Sequence, residues 1–375
     1  MAEFYEFFAG GGMARLGLGE QWSCTYANDI DRKKAASYSR HFGAEHLAIK
    51  DVGLVATREL PGRASLAWAS FPCQDLSLAG RGIGLTGHRS GTFWPFWALM
   101  GALNSEGRAP HTIVLENVYG AISSNCGRDF NEIGNAITSL GYRFGALVMD
   151  AVHFVPQSRP RLFIVAVRSE IRLPEVVTRS DPTGLWHPRS LVEAKFRMSA
   201  EAQDAWVWWN VPVPAGRETV FADLIEDIPT GVQWNSHKDT LALISMMSPV
   251  NRAKVRAAQR EGVLRVGTLY KRTRKGLCRA EVRFDDVAGC LRTPSGGSSR
   301  QTIIVVKGRS VRTRLLSPRE AARLMGLPEE YVLPSSYNEA YHLAGDGLVV
   351  PVVAHLADSV LTPIAQTVTQ QISAA

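Results

Sequence analysis

Over the first 168 positions, short apolar runs alternate with polar stretches of helical spacing. EFYEFFAG (3–10) predicts a strand that runs into a glycine turn. CTYAND (24–29), ASLAWAS (64–70), HTIVLENV (111–118), YRFGALVMDA (142–151) and RLFIVAV (161–167) predict further strands. Between them, a helix starts over Met13 to Gly19, and helical spacing recurs over 31–42, over 92–103 with Pro95 near its first turn, and over 130–141, which Gly141 ends. Strands alternating with helices predict an α/β fold with a mostly parallel sheet covered on both faces.

The pattern changes after about Arg168. Residues 169–311 are rich in proline, glycine turns and tryptophan (Trp186, Trp206, Trp208, Trp209, Trp234), and their weak periodicity defines no topology. Order returns at SPREAARLMGLP (317–328), where Ser317, Pro318 and Glu320 have the spacing of a capped helix start. A last helix is expected over about 349–362, with Val349, Val352, Val353, Leu356 and Val360 on one face that packs back on the sheet. The expected organisation is therefore a first domain at 1–168, a second and smaller irregular domain at 169–311, and a return segment at 312–375 whose helix (about 345–365) rejoins the first domain.

Composition narrows the function classes. The chain has 375 residues, 45% of them hydrophobic, enough for a sizeable core. No apolar run reads as a membrane span, and MAEFYEFFAGGG lacks the basic flank of a signal peptide. Five cysteines (Cys24, Cys73, Cys126, Cys278, Cys290) form no CxxC or Cys/His cluster, which argues against structural zinc and a disulfide framework, and for a reducing compartment; no metal is expected. The net charge is +7, unevenly spread: residues 231–314 hold 18 basic and 5 acidic residues, so the rest of the chain is net acidic. That segment is either a phosphate-binding surface or a solvated basic face.

Several residues carry candidate chemistry. Glycines in FAGGGMARLGLG (8–19), after the first strand, let the backbone approach a ligand. Asp29, ending the second strand, can accept from ribose hydroxyls, and Asp51 from an adenine amino group; both could equally be loop caps. SFPCQDLSLAG (70–80) puts Cys73 at the carboxyl edge of the sheet, where open α/β folds bind ligands, and a thiol there is a plausible nucleophile. Glu116, just past an apolar strand, is either an acid or a surface cap. Arg159 and Arg161, in QSRPR (157–161), could bind a carbonyl or phosphate or pair with a carboxylate. A thiolate, a carboxylic acid and a cationic donor together suit one reaction. Carbon 5 of cytosine becomes reactive only after a thiolate attacks carbon 6, with help at N3 and O2.

These motifs, in this order, resemble those of the C5-cytosine DNA methyltransferases. FAGGG (8–12) resembles the cofactor loop, Asn28-Asp29 and Asp51 the acidic cofactor positions, and FPCQ (71–74) the catalytic cysteine motif. Ser77, Gly80 and RSGT (89–92) resemble its mobile loop. ENV (116–118), QSRPR (157–161), RLLSPREAARLMGLP (314–328) and GDGLVVPVV (345–353) complete the set over almost the whole chain. The resemblance implies a Rossmann-like fold that binds S-adenosyl-L-methionine, with the target-recognition region at 169–311, where the basic segment lies. It implies Cys73 as nucleophile, Glu116 on N3 and the amino group, and Arg161 on O2 with Arg159 supporting it. It implies Phe8, Ala9, Gly10, Gly12, Asp29, Ile30, Asp51, Val52, Pro72 and Asp346 around the cofactor. The flipped base would come from double-stranded DNA. Candidate DNA contacts are Gln74, Ser77, Arg81, Arg89, Arg272, Arg274, Lys275, Gly296, Gly297, Ser298 and Arg300. The turn at 293–301 reads equally as an ordinary hairpin loop.

One position departs from the family. Its last motif usually reads Gly-Asn-Ser or Gly-Asn-Ala, and here it is Gly345-Asp346-Gly347, an acid in place of an amide. The resemblance also implies a monomer in the cytoplasm of a prokaryotic or viral system, with a restriction endonuclease as a conceivable partner. Competing readings are a transfer-RNA cytosine methyltransferase of the same fold, whose usual Cys-Phe-Thr tripeptide is absent here, and a catalytically silent DNA-binding relative. A nicotinamide dehydrogenase would leave FPCQ, ENV and QSRPR without roles.

Overall fold

A computed structural model of the chain describes residues 1–72, 92–274, 277–293 and 300–374. They form two compact units. The first comprises Met1–Met149, Pro160–Pro214 and Val350–Ala375, and the second Asp150–Arg159 and Ala215–Val349.

The first unit is built on a sheet of seven strands: β1 (Ala2–Phe7), β2 (Trp22–Asp29), β3 (Leu47–Ile49), β4 (Leu66–Ala69), β5 (Thr112–Val118), β6 (Tyr142–Asp150) and β7 (Pro160–Arg168). Their order is β3-β2-β1-β4-β5-β7-β6. The pairs from β3 to β5 are parallel, and β7 runs antiparallel to β5. Helices α1 (Met13–Leu18), α2 (Arg32–Phe42), α3 (Phe93–Ser105) and α4 (Arg128–Ser139) connect them. Strand order reverses between β1 and β4, and such a switch point opens a crevice at the carboxyl ends of the strands. Both strands end there in register, Phe7 opposite Ala69. One core cluster runs from Tyr5 and Phe7 through Phe93, Phe96 and Trp97 to Ile133, Ile137 and Phe144.

The tryptophan-rich segment up to Pro214, which the sequence pattern left unassigned, belongs to this unit. Its role is to cover the outer strand, β6. Val148 N donates to the Trp186 carbonyl (2.8 Å), Phe144 N to the Ala205 carbonyl (2.9 Å), and Val207 N to the Phe144 carbonyl (2.7 Å). A Cβ on Gly145 would lie 1.9 Å from the Val207 carbonyl oxygen, so only glycine admits the covering chain. Trp186 and Trp209 are fully buried. An exposed edge that would template foreign strands is thereby closed. The segment also holds helices α5 (Arg189–Lys195) and α6 (Ala200–Asp204) and a two-stranded ribbon of β8 (Thr178–Arg179) and β9 (Trp208–Trp209).

The second unit holds α7 (His237–Ser245) and α8 (Pro249–Glu261). Its antiparallel sheet is ordered β11-β10-β12-β13, from β10 (Arg265–Arg274), β11 (Leu277–Arg283), β12 (Thr302–Lys307) and β13 (Ser310–Leu315). Val255 and Ala258 of α8 pack with Leu269, Ala280, Val282 and Ile304. Next come α9 (Pro318–Leu324) and α10 (Tyr337–Asp346). The expected capping box is present: Ser317 Oγ accepts from Glu320 N (3.1 Å), and Ser317 N donates to Glu320 Oε2 (2.7 Å). These units divide the chain after Pro214 and before Val350.

The last helices return to the first unit. Helix α11 (Val350–Leu356) continues through a π turn (Ala357–Leu361) into α12 (Thr362–Ala374). Val353 meets α1 where a Cβ on Gly17 would come within 2.4 Å of it. The stretch Tyr337–Gln371 contains a window of mean hydropathy 1.7, long enough to cross a membrane, which corrects the expectation that no such run exists. Half of that window is buried inside the protein, as in a core helix.

Candidate active site

At the end of β1 the backbone turns through left-handed conformations at Phe8 (φ 58°), Gly10 (φ 57°) and Gly12 (φ 78°). Phe8 carries the strain of a side chain in that region. Gly12 has no alternative, because a Cβ there would meet the Phe42 ring at 2.3 Å. The turn is tied to β2: Ala9 N donates to the Asn28 carbonyl (2.9 Å), and Gly10 N to Asp29 Oδ2 (2.7 Å). Asp29 Oδ1 accepts from Asp31 N (2.7 Å). Asp29 is 8% exposed, and burial raises its pKa against those two amides. Each carboxylate oxygen retains a lone pair for a hydroxyl donor.

Next to Asp29, Ile30 is 67% exposed, an apolar side chain with no core to fill. Asp51 follows β3, is exposed, and holds the Gly53 amide on Oδ1 (2.8 Å). Val52 is buried beneath it and Leu54 is exposed. A carboxylate at the end of β2, a second after β3 and exposed apolar side chains beside both fit a nucleoside: acceptors for its hydroxyl and amino groups, and an apolar wall for its ring.

At the end of β4, Phe71 is buried and Pro72 exposed. The Phe71 carbonyl accepts from Asn117 Nδ2 (3.3 Å), so the approach to Cys73 is fastened to β5. Cys73 itself, with Gln74, Ser77, Arg81 and Arg89, lies outside the described residues.

Pairing of β5 with β7 brings the acid and the cation together. Glu116 is opposite Phe163 and Val118 opposite Arg161. Glu116 and Arg161 are therefore diagonal neighbours on one face. Arg161 Nε lies 3.3 Å from Glu116 Oε1, and the two side chains are 16% and 11% exposed. Arg161 Nη1 also donates to its neighbour's carbonyl, that of Pro160 (3.0 Å). Enclosure costs each charge its hydration, and the opposite charge of the partner offsets part of that cost.

Arg159 lies in the second unit and is 2% exposed. Its Nη1 donates to the Leu291 carbonyl (2.9 Å), and its Nη2 to the carbonyls of Gly345 (2.9 Å) and Gly347 (2.8 Å). It thus staples three backbone segments of its unit. Asp346, exposed at the end of α10, accepts from Thr293 Oγ1.

Among the candidate DNA contacts, Arg272 is exposed on β10, with Nε 3.6 Å from Glu281 Oε2 and its guanidinium 4.9 Å over the Tyr270 ring. Arg300 is held by Asn338 and lies 5.3 Å over the Tyr337 ring. Lys275, Gly296, Gly297 and Ser298 lie outside the described residues, as does the side chain of Arg274. The β10–β11 ribbon adds two cations that spacing did not single out. Arg279 stands opposite Arg272, and Arg283 opposite Thr268, on the same face. Strand alternation was the available signal, but the register needed the structure. Arg314, one of the 18 basic residues of the segment, is fully buried and bidentate with Glu320 (2.8 and 2.6 Å), so it is no part of any DNA surface.

A family model of C-5 cytosine-specific DNA methylases matches residues 2–362. The chain belongs to that family. Among curated relatives of this C-5 cytosine-specific family, the type II methyltransferase M.HhaI of Haemophilus parahaemolyticus is 24% identical over 94% of this chain and 92% of its own. The type II methyltransferase M.Bsp6I of a Bacillus species is 25% identical over 96% and 98%. Among solved structures, DNMT2 of Spodoptera frugiperda superposes with a TM-score of 0.62 at 16% identity, over 97% of this chain and 99% of that one, which shows the shared fold. As a DNA (cytosine-5)-methyltransferase, the chain is a transferase, and its mostly parallel sheet is that of the methyltransferase fold. Among the described residues no His, Cys, Asp and Glu side chains group as a metal site.

Proposed function

We propose that this methyltransferase transfers a methyl group from S-adenosylmethionine to carbon 5 of a cytosine flipped out of a specific double-stranded DNA sequence, through a covalent bond between Cys73 and carbon 6. The observation that carries the reading is the enclosed Glu116–Arg161 pair, where the carboxyl end of β5 meets the start of β7. One partner is an acid for N3 and the amino group, the other a cationic donor for O2. Asn117, next to Glu116, anchors the chain leading to Cys73.

In this reading the Cys73 thiolate adds to carbon 6 while Glu116 supports N3 and Arg161 draws electron density to O2. Carbon 5 then carries the negative charge and forms the new carbon–carbon bond. Loss of the carbon 5 proton to a base expels the thiolate and restores the ring. S-adenosylmethionine, when bound, would supply the methyl group as an electrophile, its sulfur–methyl bond breaking to leave the neutral thioether S-adenosylhomocysteine. Asp29 would hold its ribose hydroxyls, Asp51 its adenine amino group, and Ile30 and Val52 its apolar surroundings, with Phe8, Ala9, Gly10, Gly12 and Pro72 shaping the floor. Arg159 acts at a distance, as a positioning residue.

The cations of the β10–β11 ribbon, Arg272, Arg279 and Arg283, would meet DNA phosphates. A monomer suffices for one flipped base. Type II relatives favour a cytoplasmic enzyme that protects DNA from a partner endonuclease.

The test is covalent trapping. Fluorine at carbon 5 cannot leave as a proton, so DNA substituted with 5-fluorocytosine arrests the adduct. With S-adenosylmethionine, the wild-type chain is expected to give a denaturant-stable complex and Cys73→Ser none. A stable complex from Cys73→Ser would overturn the assignment, and trapping on RNA alone would reassign the substrate.

A further inference from the structure

An open hollow of about 600 Å³ lies in the first unit, away from the carboxyl edge. Arg143, Arg172, Arg179, Lys195, Trp206 and Trp208 line it. Its place in the fold is the opposite end of the sheet. Arg143 is at the start of β6, and Arg172 follows the end of β7, whose first residues carry Arg161. Seven residue steps of extended chain from Arg161 to Arg168 put the hollow roughly 20 Å from the Glu116–Arg161 pair.

The lining is chemically one-sided. Four cations converge and no carboxylate is among the lining residues. Arg172 and Arg179 are exposed and Lys195 is half-buried. Arg143 Nη2 donates to the carbonyls of Ser169 (3.3 Å) and Ile171, and Arg179 Nε to the Asp181 carbonyl. These bonds go to neutral groups; among the described residues no ion pair joins any of the four cations, although the Glu170 carboxylate acts on Arg143 through space. Like charges gathered around one concavity repel each other unless an anion occupies it.

The aromatic half is equally ordered. Arg179 of β8 stands opposite Trp208 of β9, so guanidinium and indole share a face. Trp206 and Trp208 meet edge to face, with centroids 5.3 Å apart, and Trp206 is braced by Phe144. Just beneath the wall, Arg143 Nε and Trp206 Nε1 are buried donors without an acceptor among the described residues. The volume is that of a small-molecule site.

We propose that this hollow binds a nucleoside phosphate, its base against the indoles of Trp206 and Trp208 and its phosphate among Arg143, Arg172, Arg179 and Lys195. Aromatic platforms flanked by cations are how proteins hold bases without reading their sequence. The ligand can be a free nucleotide or the phosphorylated end of a single strand; the chemistry is the same.

The experiment titrates thymidine 5′-phosphate into the full chain by calorimetry, because that nucleotide carries neither the adenine of the proposed cofactor nor a cytosine. Thymidine, inorganic phosphate and a 5′-phosphorylated thymidine tetramer are titrated in parallel. The nucleotide is expected to bind at least about ten-fold more tightly than thymidine or phosphate, since each half of the hollow contributes. Arg172→Glu with Lys195→Glu, at partly exposed positions, is expected to weaken it about ten-fold or more while leaving the chain folded and methyl transfer to DNA intact. Trp208→Ala is expected to reduce the preference for nucleotide over phosphate. Tighter binding of the tetramer identifies a strand end, and equal binding a free nucleotide. No nucleotide binding, equal affinity for phosphate and nucleotide, or indifference to the charge reversal would overturn the proposal.

Discussion

Glu6 occupies the middle of the sheet and offers a measurable consequence of burial. It is 1% exposed on β1, and neither carboxyl oxygen makes a hydrogen bond of good geometry. The neighbouring donors are the Tyr38 hydroxyl and the Arg15 amide, while the Arg15 guanidinium lies nearby but is directed to Tyr38 (3.2 Å) and His46 (2.5 Å). Burial lifts the Glu6 pKa to about 8, against the opposing pull of Arg15 and with a small push from Asp29. The unfolded chain releases this proton near 4.5, so between that pH and about 8 the folded state holds a proton the unfolded state has lost. Stability must then fall as pH rises through this window, by about 1.4 kcal/mol per pH unit. The loss reaches about 2 kcal/mol by pH 6 and about 4 kcal/mol by pH 8, with water entry able only to reduce it. Glu6→Gln keeps the shape and removes the titration. Urea unfolding at pH 5, 6, 7 and 8 is expected to show the variant gaining on the wild type as pH rises, by about 2 kcal/mol between pH 6 and pH 8. A constant difference across that range, or a variant that loses ground at pH 8, would show that Glu6 is ionised in the fold and held by Arg15.

Two further outcomes follow from charge placement. Arg314→Met strands the buried Glu320 carboxylate and is expected to lower stability by about 3–5 kcal/mol, with Arg314→Met plus Glu320→Leu recovering much of it, as read by denaturant midpoints. Arg272→Ala with Arg279→Ala is expected to weaken DNA binding and to reduce the slope of log affinity against log salt by about 2, while an unchanged slope would move the DNA surface off the β10–β11 ribbon.

Much of the fold was legible in the sequence because it is written locally. Apolar runs ending in Gly10, Asp29, Ser70 and Val118 marked the strands of the parallel sheet, and Ser317 with Glu320 marked a helix start. What escaped depends on contacts distant in sequence. Trp186 and Trp209 gave no period because they cover the edge of β6 from a turn and a two-residue strand, with Gly145 as a local sign of close approach. Arg314 counted as positive charge until Glu320 was seen against it. Arg159 and Arg161 look alike in QSRPR, yet one staples the carbonyls of Leu291, Gly345 and Gly347 and the other faces Glu116. Strand register, not motif, separates their roles. Asp29 was read as a ligand for hydroxyls or as a loop cap, and its hydrogen bonds to Gly10 and Asp31 show that it caps the loop while keeping acceptor capacity.

The most direct measurement is bisulfite sequencing of a plasmid from cells that lack cytosine methylation and express the chain, beside a Cys73→Ser control. Protected cytosines in one recurring short motif, absent from the control, are the expected result. Uniform conversion in both, with soluble protein present, would contradict the account.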